Sequence, residues 1–343
     1  MAKRGMRIII AIAVALLVIF VLLFSYRLIK KPNILVGKPA KLLVIPPGIC
    51  FSALQDSLYQ EAYVADTASF SLLARLMKYE RRIMPGAYKL KPGMGNWDAI
   101  KILMAGMQDP IKIVLHNMHN KAELSAKITQ NIGIKAADFA KLLDDSVFIS
   151  QYGFNTDNVL AMFIPNTYMV YWTISPKELF QRMYLEYQRF WDQERLNKAK
   201  QIGLTPTEVT ILASIVQKET NRLEEAPVIA GIYLNRLRKG MRLQSCPTLL
   251  HAVGNPSARR VLRKYQRIDS PYNTYLYKGL PPGPITIPPI AMIDAVLNHQ
   301  QHDYLYFSAK EDFSGCHYFA RTFSEHKNNG ERYRRALNQA GIY

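Results

Sequence analysis

Hydrophobic and polar positions divide the chain into two regimes. Ile8 to Phe24 reads IIIAIAVALLVIFVLLF, 17 residues with no polar side chain. With Ser25 and Tyr26 the stretch reaches the shortest length that spans a bilayer as a helix. After it, periods of two and of about 3.6 alternate. Lys41–Pro46 (KLLVIP) reads as a strand, and Phe51–Tyr63 and Ala68–Met77 as helices. Ala87–Leu90 is a short strand between the turns Pro85-Gly86 and Pro92-Gly93. Trp97–Met107 has helical spacing and Ile111–Leu115 alternates as a strand. The pattern here is strand–helix–helix–strand, then strand–helix–strand.

Further on, Ala122–Asn131 and Ala136–Leu143 predict helices, and Met162–Tyr168 a loop. Pro176–Ile202 predicts one long amphipathic helix, followed by helices over Thr205–Thr220 and Pro227–Lys239. Met241–Pro289 is rich in proline and reads as loop. Ile290–Asn298 is a helix, Tyr304–Ala309 and His317–Ala320 pair as strands around a turn at Gly315, and Phe323–Leu337 is the last helix. The fold class is α+β: a single transmembrane helix, a small α/β module over residues 41–118 and a larger α+β domain over 119–343.

The flanks of the apolar stretch decide how it is used. Ser25-Tyr26-Arg27-Leu28 lacks the small residues of a signal-peptidase site, which predicts an uncleaved anchor. Residues 1–7 then form a cytoplasmic tail, 8–26 the membrane span, and 27–40 a basic linker containing Pro32, Gly37 and Pro39. Lys3, Arg4 and Arg7 on one side nearly balance Arg27, Lys30 and Lys31 on the other. A long body translocates largely regardless of such a balance. The body is therefore expected outside the cytoplasmic (inner) membrane, on the periplasmic side. A cytoplasmic body is the alternative.

Charge narrows the partners. Forty-four Lys and Arg against 26 Asp and Glu give +18, which favours polyanions: nucleic acid, anionic headgroups or a wall polymer. Basic clusters are few, as at Lys78–Arg82 and Arg259–Lys264, and no nucleic-acid-binding module accompanies them. No nucleic-acid partner is expected. Cys50, Cys246 and Cys316 are odd in number and widely spaced, so they read as free thiols, with one pair open in an oxidising compartment. No CxxC or HExxH spacing occurs, so neither a metal nor a cofactor is expected.

One carboxylate has an unusual position. Thr205-Pro206-Thr207-Glu208 predicts a capped helix start with proline at the first helical position. In that register Val209, Leu212, Val216 and Glu219 share a face. A carboxyl on an apolar face is pushed toward its neutral form, as a general acid requires. The alternative is an ion pair with Arg222 or Arg236.

Four ordered segments carry a resemblance: ASIVQKET (213–220), IAGIYLNRLRKGMRLQSCPT (229–248), SPYNTYLYKGLPPGPI (270–285) and DYLYFSA…GCHYFARTFSEH (303–326). Together they resemble the YceG-like endolytic murein transglycosylases, over about residues 41–343. The resemblance implies a single-pass anchor, a LysM-like module that includes Tyr88–Leu90 and Pro92–Met94, and a catalytic domain facing the wall. It implies a lyase that cleaves the glycan between N-acetylmuramic acid and N-acetylglucosamine and leaves a 1,6-anhydro end. The family's catalytic glutamate maps onto Glu219. Partners implied are peptidoglycan strands, the membrane and membrane-bound wall synthases (penicillin-binding proteins).

Sugar contacts are expected from amide, hydroxyl and aromatic side chains: Asn235, Gln244, Tyr272, Asn273, Thr274 and Tyr275, with Asn166 and Tyr168. For the Pro-Tyr-Asn-Thr-Tyr run the alternative is a rigid turn with Asn273 bonded to its own backbone. His317 and His326 line the cleft or serve structure. Leu280-Pro-Pro-Gly-Pro reads as scaffold. Three segments depart from the family pattern, each losing negative charge: Gln217 for Glu, Cys246 for Asp and, in the Ala161–Tyr168 region, Ala161 and Asn166 for acids. They keep open a weak or inactive peptidoglycan-binding scaffold as the second reading.

Overall fold

The computed structural model describes residues 2–35, 42–116, 118–254 and 263–341. Val36–Ala40 of the expected linker, Lys41 of the first strand and most of the Arg259–Lys264 cluster lie outside them. The chain divides into two compact units: Met1–Lys112 with Asn131–Gly133 and Met169–Ile174, and the remainder. This division runs differently from the expected boundary at 118. The two short returns are tied to each other by the Gly133 N–H bond to the Trp172 carbonyl (2.9 Å) and pack with the first unit.

The first unit begins with α1 (Ala2–Ile29), then β1 (Leu42–Ile45), α2 (Phe51–Gln60), α3 (Thr67–Leu76), β2 (Gly86–Lys89) and α4 (Asn96–Met104). β1 and β2 pair antiparallel, Leu42 opposite Lys89 and Ile45 opposite Gly86. Leu43, Ile45, Leu54, Leu58, Phe70, Leu73, Tyr79, Tyr88, Ile100 and Leu103 form the core. One helix, Arg4–Ile29, is long and apolar enough to cross a membrane, and its side chains from Ile8 to Phe24 are exposed.

The junction after this helix corrects the linker expected over 27–40. Helix α1 continues to Ile29, Leu28 is buried, and the next residues bond into the unit at once. Asn33 donates to the Asn96 side chain (2.6 Å) and to the Asp66 carbonyl (2.9 Å). Asn96 donates to the Leu28 carbonyl (3.0 Å). Bridges Pro32–Gly95 and Ile34–Val64 extend the contact. Buried amides complete their hydrogen bonds this way, which is why the segment does not remain a tether.

Strands β3 (Ile111–Val114) and β4 (Thr167–Val170) straddle the division, and the second unit holds α5 (Lys121–Thr129), α6 (Ala136–Asp144), α7 (Ser146–Ser150), α8 (Pro176–Phe190), α9 (Gln193–Ile202), α10 (Pro206–Glu219), α11 (Ala226–Arg238), α12 (Cys246–Ala252), α13 (Ile290–Leu297), β5 (Tyr306–Ala309), β6 (His317–Ala320) and α14 (Phe323–Gln339). Strand β3 pairs with β4, and β5 with β6 antiparallel, Tyr306 opposite Ala320. The expected single helix over 176–202 breaks at Trp191 and Asp192. Trp191 turns into the core, and the Asp192 carboxylate caps α9 by accepting from Arg195 N–H (2.9 Å). Helix α12 appears inside the expected loop region, with Pro247 in its first turn, where a missing N–H is harmless. β4 likewise replaces the end of the expected Met162–Tyr168 loop.

Helix α10 is the centre of this unit. Thr205 and Glu208 form the predicted capping box. Every residue from Val209 to Val216 is buried, so the helix is enclosed all round rather than on one face. α11, α12 and α13 pack against it.

Candidate active site

Glu219 is the last residue of α10, at the floor of a cleft of about 340 Å³. The packing of α10 leaves its C-terminal turn as the only part that reaches this opening. Tyr233 comes from α11, fourteen residues on, and Ser245 from the segment just before α12. The hydroxyls of both donate to the same carboxyl oxygen, Oε1, at 2.6 Å each. Among the described residues no hydrogen bond is made to Oε2.

The opening is built from a few segments. Arg236 is buried, donating from Nε to the Leu305 carbonyl (2.7 Å) and from Nη1 to the Leu243 carbonyl (2.7 Å). It thus ties the strand β5 edge to the loop before α12, with its guanidinium over the Tyr306 ring. Gln244 adopts positive φ (52°), rare for a residue with a side chain. Its N–H bonds the Thr274 carbonyl and that of Ser245 bonds the Thr274 hydroxyl, both at 3.0 Å. This kink aims Ser245 at Glu219 while the Gln244 side chain faces the cleft. Tyr275, Tyr306, Phe307 and Phe323 supply aromatic walls, and Cys246 and His326 the remaining polar ones.

Electrostatics favour a neutral Glu219. Burial raises its pKa; the bonds from Ser245 and Tyr233, and the electrostatic influence of nearby His317 and Arg236, oppose this without reversing it. Position at the negative end of the α10 dipole works in the same sense as burial. Tyr233 and Tyr275 are pushed up by burial and stay protonated, and burial also raises the Cys246 thiol. His326 is pushed down by burial, then by Arg236, which keeps it neutral.

The expected site residues divide cleanly. Glu219, Gln244 and Tyr275 meet in the cleft. The others lie elsewhere, for physical reasons that each side chain makes plain. Asn273 is fully buried, donating to the Gln266 and Ile268 carbonyls and accepting from Tyr275 N–H, the rigid-turn alternative. Thr274 is buried between Ser245 and Thr248. Asn235 donates to the His302 and Tyr304 carbonyls. Tyr272 packs against His251 with the rings tilted 48° and their centres 4.6 Å apart. Tyr168 is buried with its hydroxyl on the Ile164 carbonyl, and Asn166 accepts from Thr167 N–H. Several of these act one step removed: Asn273 and Thr274 hold the loop that presents Tyr275 and Ser245. His317 pairs with Glu225 at 2.7 Å, whereas His326 lines the cleft. No ion pair joins Glu219 to Arg222 or Arg236 among the described residues, and Arg222 instead bonds the Ser314 carbonyl.

Sequence reasoning missed Tyr233, Ser245 and the Tyr306–Phe307 wall, and reached Arg236 only as an ion-pair partner. Tyr233 and Arg236 stand on the same helix as Asn235, so helical phase alone separated them from it. Ser245 sits one residue before the Cys246 departure, where attention fell on the lost charge.

Known proteins give the same outline. The chain matches the YceG-like family over residues 43–332 and belongs to it. It is 27% identical over 311 residues to a Bacillus subtilis protein named endolytic murein transglycosylase, covering 86% of this chain and 85% of that one. A Streptococcus pneumoniae protein of the same name is 28% identical over 315 residues; the chain spans 57% of its length. A crystal structure of a YceG-like protein from Listeria monocytogenes is similar with a TM-score of 0.56 at 27% identity, covering 85% of this chain and 99% of that one.

Proposed function

We propose that the protein is a membrane-anchored endolytic murein transglycosylase in which Glu219 acts first as general acid and then as general base. The observation that carries the reading is that Glu219 is the single carboxylate among the described residues lining the cleft, with burial favouring its acid form. A glycoside hydrolase ordinarily needs two carboxylates, one to activate water or attack the sugar. One suffices when the nucleophile is the substrate's own C6 hydroxyl.

The Glu219 carboxyl protonates the glycosidic oxygen between N-acetylmuramic acid and N-acetylglucosamine, and the C1–O bond breaks. The carboxylate left behind, stabilised by Tyr233 and Ser245, takes the C6 hydroxyl proton as that oxygen closes on C1. The product is a 1,6-anhydro end. Ring closure within one sugar lowers the entropic cost. Gln244 and the walls of Tyr275 and Tyr306 hold the sugar. The strand–helix–helix–strand of the first unit fits a LysM-like glycan-binding module, and the body faces the wall on the periplasmic side. Penicillin-binding proteins are the expected neighbours at the membrane.

Digestion of purified sacculi tests this. Anhydro-muropeptides appear with the native protein, and Glu219→Gln lowers their rate by at least about 10²-fold, the lower range for general acid catalysis. Equal cutting by Glu219→Gln rejects the mechanism, and reducing-end products identify a hydrolase. Sacculus binding without any cutting by the native protein favours the scaffold reading, which the loss of acidic groups at Cys246 and Asn166 keeps in play.

A further inference from the structure

We propose that α3 lies in the membrane interface beside α1, with Leu72 and Leu76 among the acyl chains and Arg75 at the anionic headgroups. This rests on the reading of α1 as a membrane-spanning helix. The occupant of the face is the bilayer itself, in the leaflet where α1 emerges.

Length sets the depth. The 17 apolar residues Ile8–Phe24 rise about 26 Å as a helix, short of the roughly 30 Å hydrocarbon core. The boundary of the core therefore falls at or beyond Phe24, and exposed Tyr26 lies at the interface, where tyrosine is favoured. Arg27, Lys30 and Lys31 follow at headgroup level.

Packing then places α3 at that depth. Phe24, Arg27, Leu28, Asp66, Ser69 and Leu72 line one groove of about 210 Å³ between the two helices. Arg27 bonds Asp66 at 3.2 Å at the start of α3, while Leu72 sits beside Phe24, nearly a turn earlier in α1. From Asp66 to Leu72, α3 therefore runs back along α1 toward its apolar stretch. Leu76 lies about 6 Å beyond Leu72.

The exposure pattern matches. α3 buries Phe70, Leu73 and Ala74 in the unit's core, yet leaves Leu72 43% and Leu76 65% exposed. At 100° per residue, Ala68, Leu72, Arg75 and Leu76 share the outer face. An apolar face rimmed by Arg75, Arg27, Lys30 and Lys31 suits an anionic interface, with the arginine stem lying along the acyl region. Of the nearby carboxylates, Asp66 is paired with Arg27, and Glu80 lies 3.8 Å from Arg75.

Tryptophan placed in the full-length protein reads the depth. Leu76→Trp and Phe20→Trp are each reconstituted in vesicles of phosphatidylglycerol and phosphatidylcholine brominated along its acyl chains. The emission added by each tryptophan is measured against the unsubstituted protein. The expected result is a blue-shifted Leu76→Trp signal that loses a large part of its intensity to acyl-chain bromines, at the depth that quenches Phe20→Trp or nearer the headgroup. Quenching of Phe20→Trp with none at Leu76→Trp overturns the placement of α3 while the spanning helix stands. Absence of quenching at both positions overturns the spanning helix as well.

Discussion

At the scale of the residue, the site is organised around one oxygen atom. Tyr233 and Ser245 both donate to Oε1 of Glu219, and each bond favours the ionised form that burial opposes. Removing one bond therefore raises the pKa of Glu219 further. Tyr233→Phe is expected to move the alkaline limb of the pH–rate profile upward and to lower the rate beneath that limb about tenfold, the scale of one hydrogen bond to a charged group. A tyrosine that merely filled space would leave the limb in place. Stability gives an independent reading. Below about pH 4, near the ordinary carboxylate range, Glu219 is protonated in both folded and unfolded chains. As pH rises, the unfolded chain ionises while the folded one holds its proton, so Glu219 costs stability up to and past its raised pKa. Thermal unfolding of Glu219→Gln is expected to match the native protein near pH 4 and to exceed it at neutral pH. The Gln oxygen still accepts from both hydroxyls.

At the scale of the element, close approaches carry the architecture. A Cβ on Gly283 would stand 1.9 Å from the Asp157 carbonyl and 2.9 Å from the Tyr272 hydroxyl. Gly283→Ala is expected to destabilise the second unit by about 1–3 kcal/mol, the cost of overpacking, measured by denaturant titration. In the first unit, Asn96→Ala takes the Asn96 donor from the Leu28 carbonyl and leaves the Asn33 amide with only its bond to the Asp66 carbonyl. It is expected to cost about 2–4 kcal/mol by the same measurement and to open the segment after α1 to proteolysis. Elements with a full local signature were legible in the sequence. The Thr205–Glu208 box fixed α10, and two aromatic-rich runs around the Gly315 turn marked the β5–β6 pair. Elements decided by tertiary contact were not. Nothing local announces that Trp191 turns inward and splits the long helix, or that Asn33 and Asn96 reach each other across 63 residues. The site followed the same rule: the helix register pointed to Glu219, whereas Tyr233 and Ser245 meet it only through packing. Amides such as Asn273 carry the right chemistry for sugars but were consumed by backbone groups.

At the scale of the whole molecule, the charge of +18 is the dominant field, and peptidoglycan peptides carry carboxylates. Co-sedimentation with sacculi is expected to weaken as salt rises from about 0.05 to about 0.5 M, because exposed charges are screened within a few ångströms at the upper value. Binding that is indifferent to salt would assign recognition to hydrogen bonds and aromatic contacts rather than to charge. Helix α1, apolar enough to span a membrane, and the cleft belong to different units, so a variant such as Glu219→Gln is expected to associate with vesicles as the native protein does.

The shared oxygen has a stereochemical consequence. With Oε1 occupied by two donors, Oε2 is left as the working atom of the carboxyl. In the proposed reaction that one atom gives its proton to the departing sugar and later collects another from the C6 hydroxyl. Both groups must then present themselves from the same side of the ring. In a β-linked strand the leaving oxygen and the C6 arm do share that face, so the sugar need not turn over between the two transfers.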